Sequence, residues 1–332
     1  MTPESNDAVA LAIVVPCYNE ELMLPIATPR LLALLSTLST DRLCRTDSFL
    51  VLVDDGSSDD TWTLIEEAVK RNPTTVRGIR LSRNVGHQSA LFAGLEYCIG
   101  KCDAAVSIDA DLQDDISVIR SMVEKYRDGA ELVLGVRKSR TRDTWFKRNT
   151  ARAFYRLMRQ MGVALVADHA DFRLMSQKSL MNLALYRESN LFLRGLVPIL
   201  HRRIETVEYH RAERVAGETK YPLKKMISLA WNGITSFSVV PLRLISLGGA
   251  VVFLTSLLMI AYAIYGLAAD NTLPGWASIV IPLYLLGGLI MLSIGVAGEY
   301  IGKLFIEVKR RPRYLIDSIT GEQNERQNED KL

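Results

Sequence analysis

Asp109-Ala110-Asp111, with Gln113 two residues further on, closes the apolar run Ala104–Ile108. A buried strand that empties into such a turn would present two carboxylates and an amide oxygen together. That donor set suits a hard divalent cation that keeps open positions for phosphate oxygens. The chemistry on offer is therefore metal-assisted handling of a nucleotide. An acidic turn that only caps the next helix is the competing reading. The surrounding elements have to decide between the two.

Those elements read as an α/β pattern. Strands are expected at Val9–Val15, Phe49–Val53, Val76–Leu81, Ala104–Ile108 and Glu131–Val136, with helices at Glu20–Leu38, Asp60–Arg71, Gln88–Cys98 and Ile116–Tyr126. Short apolar strands alternating with helices predict a largely parallel sheet covered on both faces. Ligands on such sheets bind at the carboxyl ends of the strands. The polar clusters fall there: Pro16-Cys17-Tyr18-Asn19-Glu20, Asp54-Asp55-Gly56-Ser57, Ser82-Arg83-Asn84, Asp109–Asp111 and Arg137. No GxGxxG follows a strand. Gly94 with Gly100-Lys101 misses the P-loop spacing by one residue, and Cys102 stands where that motif needs Ser or Thr.

The chain has 332 residues, formal net charge +3 and four cysteines. The small charge does not point to nucleic acid. Cys17, Cys44, Cys98 and Cys102 lack both a disulfide framework and a second zinc-spaced pair, so they read as free buried thiols in a reducing compartment. The N-terminus lacks a basic n-region, and no signal peptide is expected.

Mean hydropathy of +0.11 is high for a purely soluble protein. The excess lies in Leu244–Leu267 and Trp276–Gly298, two runs without a charged residue. Each is long enough to cross a hydrocarbon core of about 30 Å as a helix. Their connection, Ala268–Gly275, has no Lys or Arg, whereas Lys220, Lys224, Lys225, Arg243, Lys303, Lys309, Arg310, Arg311 and Arg313 flank the pair. The positive-inside rule predicts two spans with the soluble part and both termini in the cytoplasm. The stretch from Tyr221 to Pro241 reads as an amphipathic helix on the membrane surface, with a helix packed on the soluble domain as its alternative. Residues 137–220 read as basic and mostly helical. Arg137, Lys138, Arg140, Arg142, Lys147, Arg148 and Arg152 are interleaved there with Trp145, Phe146, Phe154 and Tyr155, which suits an anionic membrane or a lipid phosphate.

Seven stretches then fall in one order: VVPCYNE (14–20), VDDGSSD (53–59), LSRNVGHQSAL (81–91), IDADLQD (108–114), DFRLM (171–175), GETKY (217–221) and GEYIGKLFIEVKRRPRY (298–314). With them the chain resembles the family-2, GT-A-fold polyprenyl-phosphate glycosyltransferases, in the branch of bacterial undecaprenyl-phosphate glucosyltransferases and dolichyl-phosphate mannose synthase. The resemblance implies a GT-A nucleotide-sugar-binding domain over 1–220, an interfacial region at 221–241, a two-helix transmembrane hairpin at 242–302 and a cytoplasmic tail at 303–332. It implies a donor site at Pro16, Tyr18, Glu20, Asp54, Asp55, Arg83, Asp109, Arg214 and Lys220, catalytic roles for Asp109 and Asp111, and an acceptor-phosphate site at Arg137, Lys147 and Arg148. Asp109, Asp111 and Gln113 would hold Mg2+ or Mn2+. Where the family reads GDFRLM, Ala170 replaces the glycine.

The implied reaction is inverting transfer of a hexose, with glucose from UDP-glucose as the branch's choice, to a polyprenyl phosphate at the inner membrane. Mannose, N-acetylhexosamine or an aminoarabinose-type sugar stay open. The resemblance also implies a homo-oligomer, such as a tetramer, in which the tail after Pro312 contacts a neighbour. A hydroxyl-acceptor transferase would need a general base; QxxRW, common in such enzymes, is absent. The acidic set argues against a non-catalytic scaffold.

Overall fold

The structure, a computed structural model, describes residues 8–137, 169–186, 188, 193, 196–197, 203–209, 240–268 and 275–321. In chain order it contains β1 (Leu11–Cys17), α1 (Leu24–Thr40), β2 (Phe49–Asp54), α2 (Thr61–Arg71), β3 (Val76–Leu81), α3 (His87–Tyr97), β4 (Ala104–Ser107), α4 (Val118–Arg127) and β5 (Leu132–Arg137). These are followed by β6 (His169–Ser176), α5 (Gln177–Ala184), β7 (Ile204–Tyr209), α6 (Val240–Ala268), α7 (Trp276–Val308) and β8 (Ile316–Thr320). The eight strands form one sheet in the order β7-β5-β6-β4-β1-β2-β3-β8. Strands β6 and β8 pair antiparallel to their neighbours, and the remaining pairs are parallel.

Strand alternation sorts the core into two layers. Leu11, Ile13 and Val15 of β1 pack with Leu31, Leu35 and Leu38 of α1, Ile65 of α2 and Ile119, Met122 and Val123 of α4. Ala12 and Val14 face the other way, towards Leu91 and Leu95 of α3 and Leu180 and Leu183 of α5. Burying an aliphatic side chain of this size contributes about 1.5–3 kcal/mol, so both faces drive the fold. Gly94 brings α3 close. A Cβ there would stand 2.4 Å from Val14 Cγ1 and 2.8 Å from Val53 Cγ2. The expected parallel-rich α/β sheet is therefore present, and all four cysteines are free and buried.

The sequence reading expects a mostly helical stretch over 137–220, whereas its described part is mixed, supplying strands β6 and β7 beside helix α5. Strand β6 is hard to read because Asp171 and Arg173 break its apolar run. Both are buried, and Arg173 Nη2 donates to Asp171 Oδ1 at 2.7 Å, so the interruption is neutralised inside the sheet. Strand β7 lies at the sheet's edge and leaves Thr206 and Glu208 exposed.

The chain divides into two compact units, one holding the sheet with α1–α5 and the other holding α6 and α7. Strand β8 belongs to the first: within this chain the segment after Pro312 pairs with β3, through Gly78↔Thr320, Ile79↔Ile319 and Arg80↔Ser318. In the second unit α6 has 29 residues and α7 has 33. Among the described residues one stretch, Leu285–Val308, is long and apolar enough to cross a membrane. The sequence reading ends its second span at Gly298, before the first charge, whereas α7 continues through Glu299 and Lys303, whose charged atoms lie 3.9 Å apart one turn apart. Most of the expected surface helix at 221–241 and the 269–274 connection lie outside the described residues.

Candidate active site

Because β1 to β5 share one direction, their carboxyl ends open on one edge of the sheet. The loops after β1 and β2 are laced together there. Asn19, at φ 54°, donates its backbone N–H to Ser57 Oγ at 3.0 Å, and its Oδ1 accepts from the Ser58 N–H at 2.9 Å. Glu20 N–H donates to Thr61 Oγ1 at 2.8 Å. Pro16 is buried in β1, whereas the Tyr18 side chain stands out, 49% exposed.

Asp54 and Asp55, adjacent in sequence, do different things. Asp54 is fully buried; its Oδ1 accepts from the Ser57 N–H at 3.0 Å, and its Oδ2 lies 3.9 Å from Arg80 Nε. Asp55 turns towards the loop after β3 and accepts the backbone N–H groups of Val85 and Gly86, at 2.8 and 3.0 Å. Burial pushes the Asp55 carboxyl above its ordinary range, and those two N–H groups pull against it. Gly56 completes the junction at φ +66°, because a Cβ would sit 2.5 Å from the Arg83 carbonyl carbon. The Arg83 side chain is exposed on the same loop.

Asp109 and Asp111 leave the end of β4. His87, the first residue of α3, places Nε2 3.5 Å from Asp109 Oδ1 and 3.7 Å from Asp171 Oδ2. Burial raises the Asp109 pKa, His87 lowers it, and Asp171, Asp114 and Asp111 raise it again. Leu112, at φ 45°, turns the chain so that the Gln113 N–H donates to Asp111 Oδ1 at 3.2 Å while the Gln113 side chain is buried. The donors here are carboxylate and amide oxygens, which fits Mg2+ or Mn2+. No three His, Cys, Asp or Glu side chains among the described residues form a metal site by themselves. A cation bound here would complete its shell with substrate phosphates, as Mg2+ commonly does.

Arg137, the last residue of β5, contacts Tyr209 and Asp114. Its Nε–H donates to the Tyr209 hydroxyl at 3.1 Å. Lys147, Arg148, Arg214 and Lys220 lie outside the described residues. The structure thus brings Pro16, Tyr18, Glu20, Asp54, Asp55, Arg83, Asp109, Asp111, Gln113 and Arg137 to loops and strand ends on this edge. It adds four residues that the sequence reading gave no separate role: His87, Asp114, Asp171 and Tyr209. The available signal for His87 was its place at the start of the helix after β3. Tyr209 had none, since only strand register sets it opposite Arg137.

Residues 12–184 match the family described as glycosyl transferase family 2. An uncharacterized glycosyltransferase of Bacillus subtilis, YkoT, is 52% identical over 92% of this chain and 91% of its own. The prophage bactoprenol glucosyl transferase homolog of Escherichia coli is 38% identical over 93% of this chain and 99% of its own. Among solved structures, the mannosyltransferase PcManGT from Pyrobaculum calidifontis, in complex with GDP-Man and Mn2+, aligns at 16% identity over 92% of this chain and 86% of its own, with a TM-score of 0.45. The GT-A-type α/β architecture expected from the motifs goes with the family match and the mostly parallel sheet. With the family match spanning β1 to α5 and the relatives alignable over almost their whole length, the chain belongs to glycosyl transferase family 2 and is a glycosyltransferase.

Proposed function

We propose that this enzyme transfers glucose from UDP-glucose to a polyprenyl phosphate, of which undecaprenyl phosphate is the type, at the cytoplasmic face of the membrane. The observation that carries the proposal is the alignment with the prophage bactoprenol glucosyl transferase homolog of Escherichia coli and the SfII prophage-derived bactoprenol glucosyl transferase of Shigella flexneri, at 38% and 39% identity over at least 92% of this chain. Helices α6 and α7 form the membrane hairpin of this reading, with the sheet domain in the cytoplasm and the chain assembled as a homo-oligomer.

In this proposal the loops after β1 and β2 hold the nucleoside, through Pro16, Tyr18, Glu20 and Asp55. Asp54 supports them from within, and Arg83 faces the donor. Asp109 and Asp111, with Gln113 beside them, hold Mg2+ or Mn2+. When bound, the cation supplies Lewis-acid neutralisation of the leaving diphosphate. Arg214 and Lys220 add charge-assisted hydrogen bonds to the same group. Arg137, Lys147 and Arg148 receive the acceptor phosphate. A phosphate monoester has a second pKa of about 6, by analogy with phosphoamino acids. It is therefore largely dianionic at neutral pH and attacks without a strong general base. The protein's task is placement. Direct in-line displacement then inverts the anomeric centre.

A panel of labelled sugar nucleotides offered to the purified full-length enzyme with undecaprenyl phosphate tests the proposal. Transfer from UDP-glucose is expected, with the anomeric configuration inverted, abolished by excess chelator and restored by Mg2+ or Mn2+. Retained configuration overturns the mechanism. Chelator-resistant transfer overturns the metal role, and transfer only to hydroxyl acceptors overturns the substrate class.

A further inference from the structure

Three elements converge on Arg137. Strand β7 runs parallel to β5 and sets Tyr209 opposite it in register. The Arg137 Nε–H donates to the Tyr209 hydroxyl oxygen at 3.1 Å, and that hydroxyl donates to Asp114 Oδ1 at 2.6 Å. Arg137 Nη2 closes the triangle on Asp114 Oδ1 at 3.4 Å. Asp114 and Tyr209 are 3% and 2% exposed, whereas the Arg137 side chain is 31% exposed. The triangle is thus anchored in the interior and presents its cation towards solvent at the sheet's ligand-binding edge.

Each corner is constrained for a separate reason. A buried carboxylate needs charged or hydrogen-bonding partners, and Asp114 shares its Oδ1 between a hydroxyl and a guanidinium. The Tyr209 ring packs edge-on against Phe172, with centroids 5.4 Å apart, so core packing fixes where the hydroxyl sits. Burial, reinforced by Asp114, pushes the Tyr209 phenol well above its ordinary pKa. Asp114 directly follows Gln113, so the same contacts reach the loop that carries Asp109 and Asp111.

We propose that Tyr209 and Asp114 are positioning residues for Arg137, holding its guanidinium in one orientation at the end of β5 to meet the acceptor phosphate and tying it to the Asp109–Asp114 loop. The inference rests on the reading of Arg137 as an acceptor contact. An unrestrained arginine samples many rotamers, and ordering it on binding subtracts from acceptor affinity. The triangle orders it in advance.

Tyr209→Phe in the full-length enzyme removes the hydroxyl and keeps the ring against Phe172. With undecaprenyl phosphate as acceptor, the acceptor KM is expected to rise about 5–10-fold, the scale of one ordinary hydrogen bond. The UDP-glucose KM is expected to stay within about twofold, because no donor contact is removed. Arg137→Ala is expected to raise the acceptor KM further. The double variant is expected to match Arg137→Ala alone, since the hydroxyl then has nothing left to position. An unchanged acceptor KM in Tyr209→Phe, or an effect that adds in full to that of Arg137→Ala, overturns the positioning role while leaving Arg137 as an acceptor contact. An unchanged acceptor KM in Arg137→Ala overturns both. Should Tyr209→Phe fail to fold, Asp114→Asn carries the same expectation on the acceptor KM, and an unchanged value there overturns the inference.

Discussion

Asp55 follows β2 and Asp111 follows β4, the strands on either side of β1, yet their surroundings separate their tasks. Both Asp55 oxygens accept backbone N–H groups of Val85 and Gly86. In Asp55→Ala those part-buried donors lose their partner, at a net cost of about 0.5–1.5 kcal/mol each. A markedly lower thermal midpoint is expected, and an unchanged midpoint would remove Asp55 from the loop's support. Asp111 accepts the Gln113 N–H and is part-exposed. Asp111→Asn should therefore keep the fold and the membrane attachment while eliminating sugar transfer. Turnover comparable to the parent enzyme would contradict its place at the leaving diphosphate. The intervening Gly56 shows how tight this junction is. In Gly56→Ala the new methyl would meet the backbone at Arg83 and Asn84, and a non-glycine residue held at this φ costs about 1–3 kcal/mol by itself.

Among the elements, the first turn of α2 depends on the loop before it. Asp59 Oδ1 accepts the Thr61 N–H at 3.1 Å and its Oδ2 accepts the Glu21 N–H at 3.2 Å, joining the loops after β1 and β2. Burial pushes the Asp59 pKa up, but the Thr61 hydroxyl and the backbone donors outweigh it, and the folded value lies below 3.8. A depressed folded pKa means that the stabilisation is complete above the unfolded pKa, near 4, and is lost as pH falls through the folded value. Asp59→Asn is therefore expected to cost about 0.5–2 kcal/mol at pH 7 and progressively less below about pH 4. Thermal midpoints of the two proteins from pH 7 to pH 3 provide the check, and a constant difference across that range would reject the ionic contribution.

Across the sheet-bearing unit, the segment beyond the last helix returns to close an edge. Strand β8 covers β3, and the Ser82 N–H donates to the Leu315 carbonyl at 3.0 Å, so the loop carrying Arg83 is held by the far end of the chain. Arg313 donates to the carbonyls of Glu188 and Tyr186 and lies over the Phe92 ring, 4.4 Å from its centroid. Tyr314 donates its hydroxyl to Glu96. Ending the chain after Arg311 removes all of these and leaves β3 as an unpaired edge, which invites aggregation. The truncated protein is expected to unfold at lower temperature and to bind UDP-glucose more weakly. Calorimetry and a donor-binding titration measure both, and parent-like values in each would show β8 to be dispensable.

The α/β layering was legible in the sequence because fully buried parallel strands are continuous apolar runs, as in LAIVVPC and FLVLVD, and the helices between them are regular. The clustering of Asp55, Asp109 and Arg137 at one edge followed from the same pattern, since parallel strands send their carboxyl ends one way. What each side chain does there was decided by tertiary structure. Neighbours in sequence, Asp54 and Asp55, receive different partners from β3 and the loop after it. Residues far apart, such as Asp114 with Tyr209 and His87 with Asp171, meet only through strand order. Strand β6 stayed hidden because its apolar pattern is broken by Asp171 and Arg173, whose charges are compensated only once each finds the other inside the sheet. Local periodicity records which face a residue takes; it carries no information about which distant group will neutralise its charge.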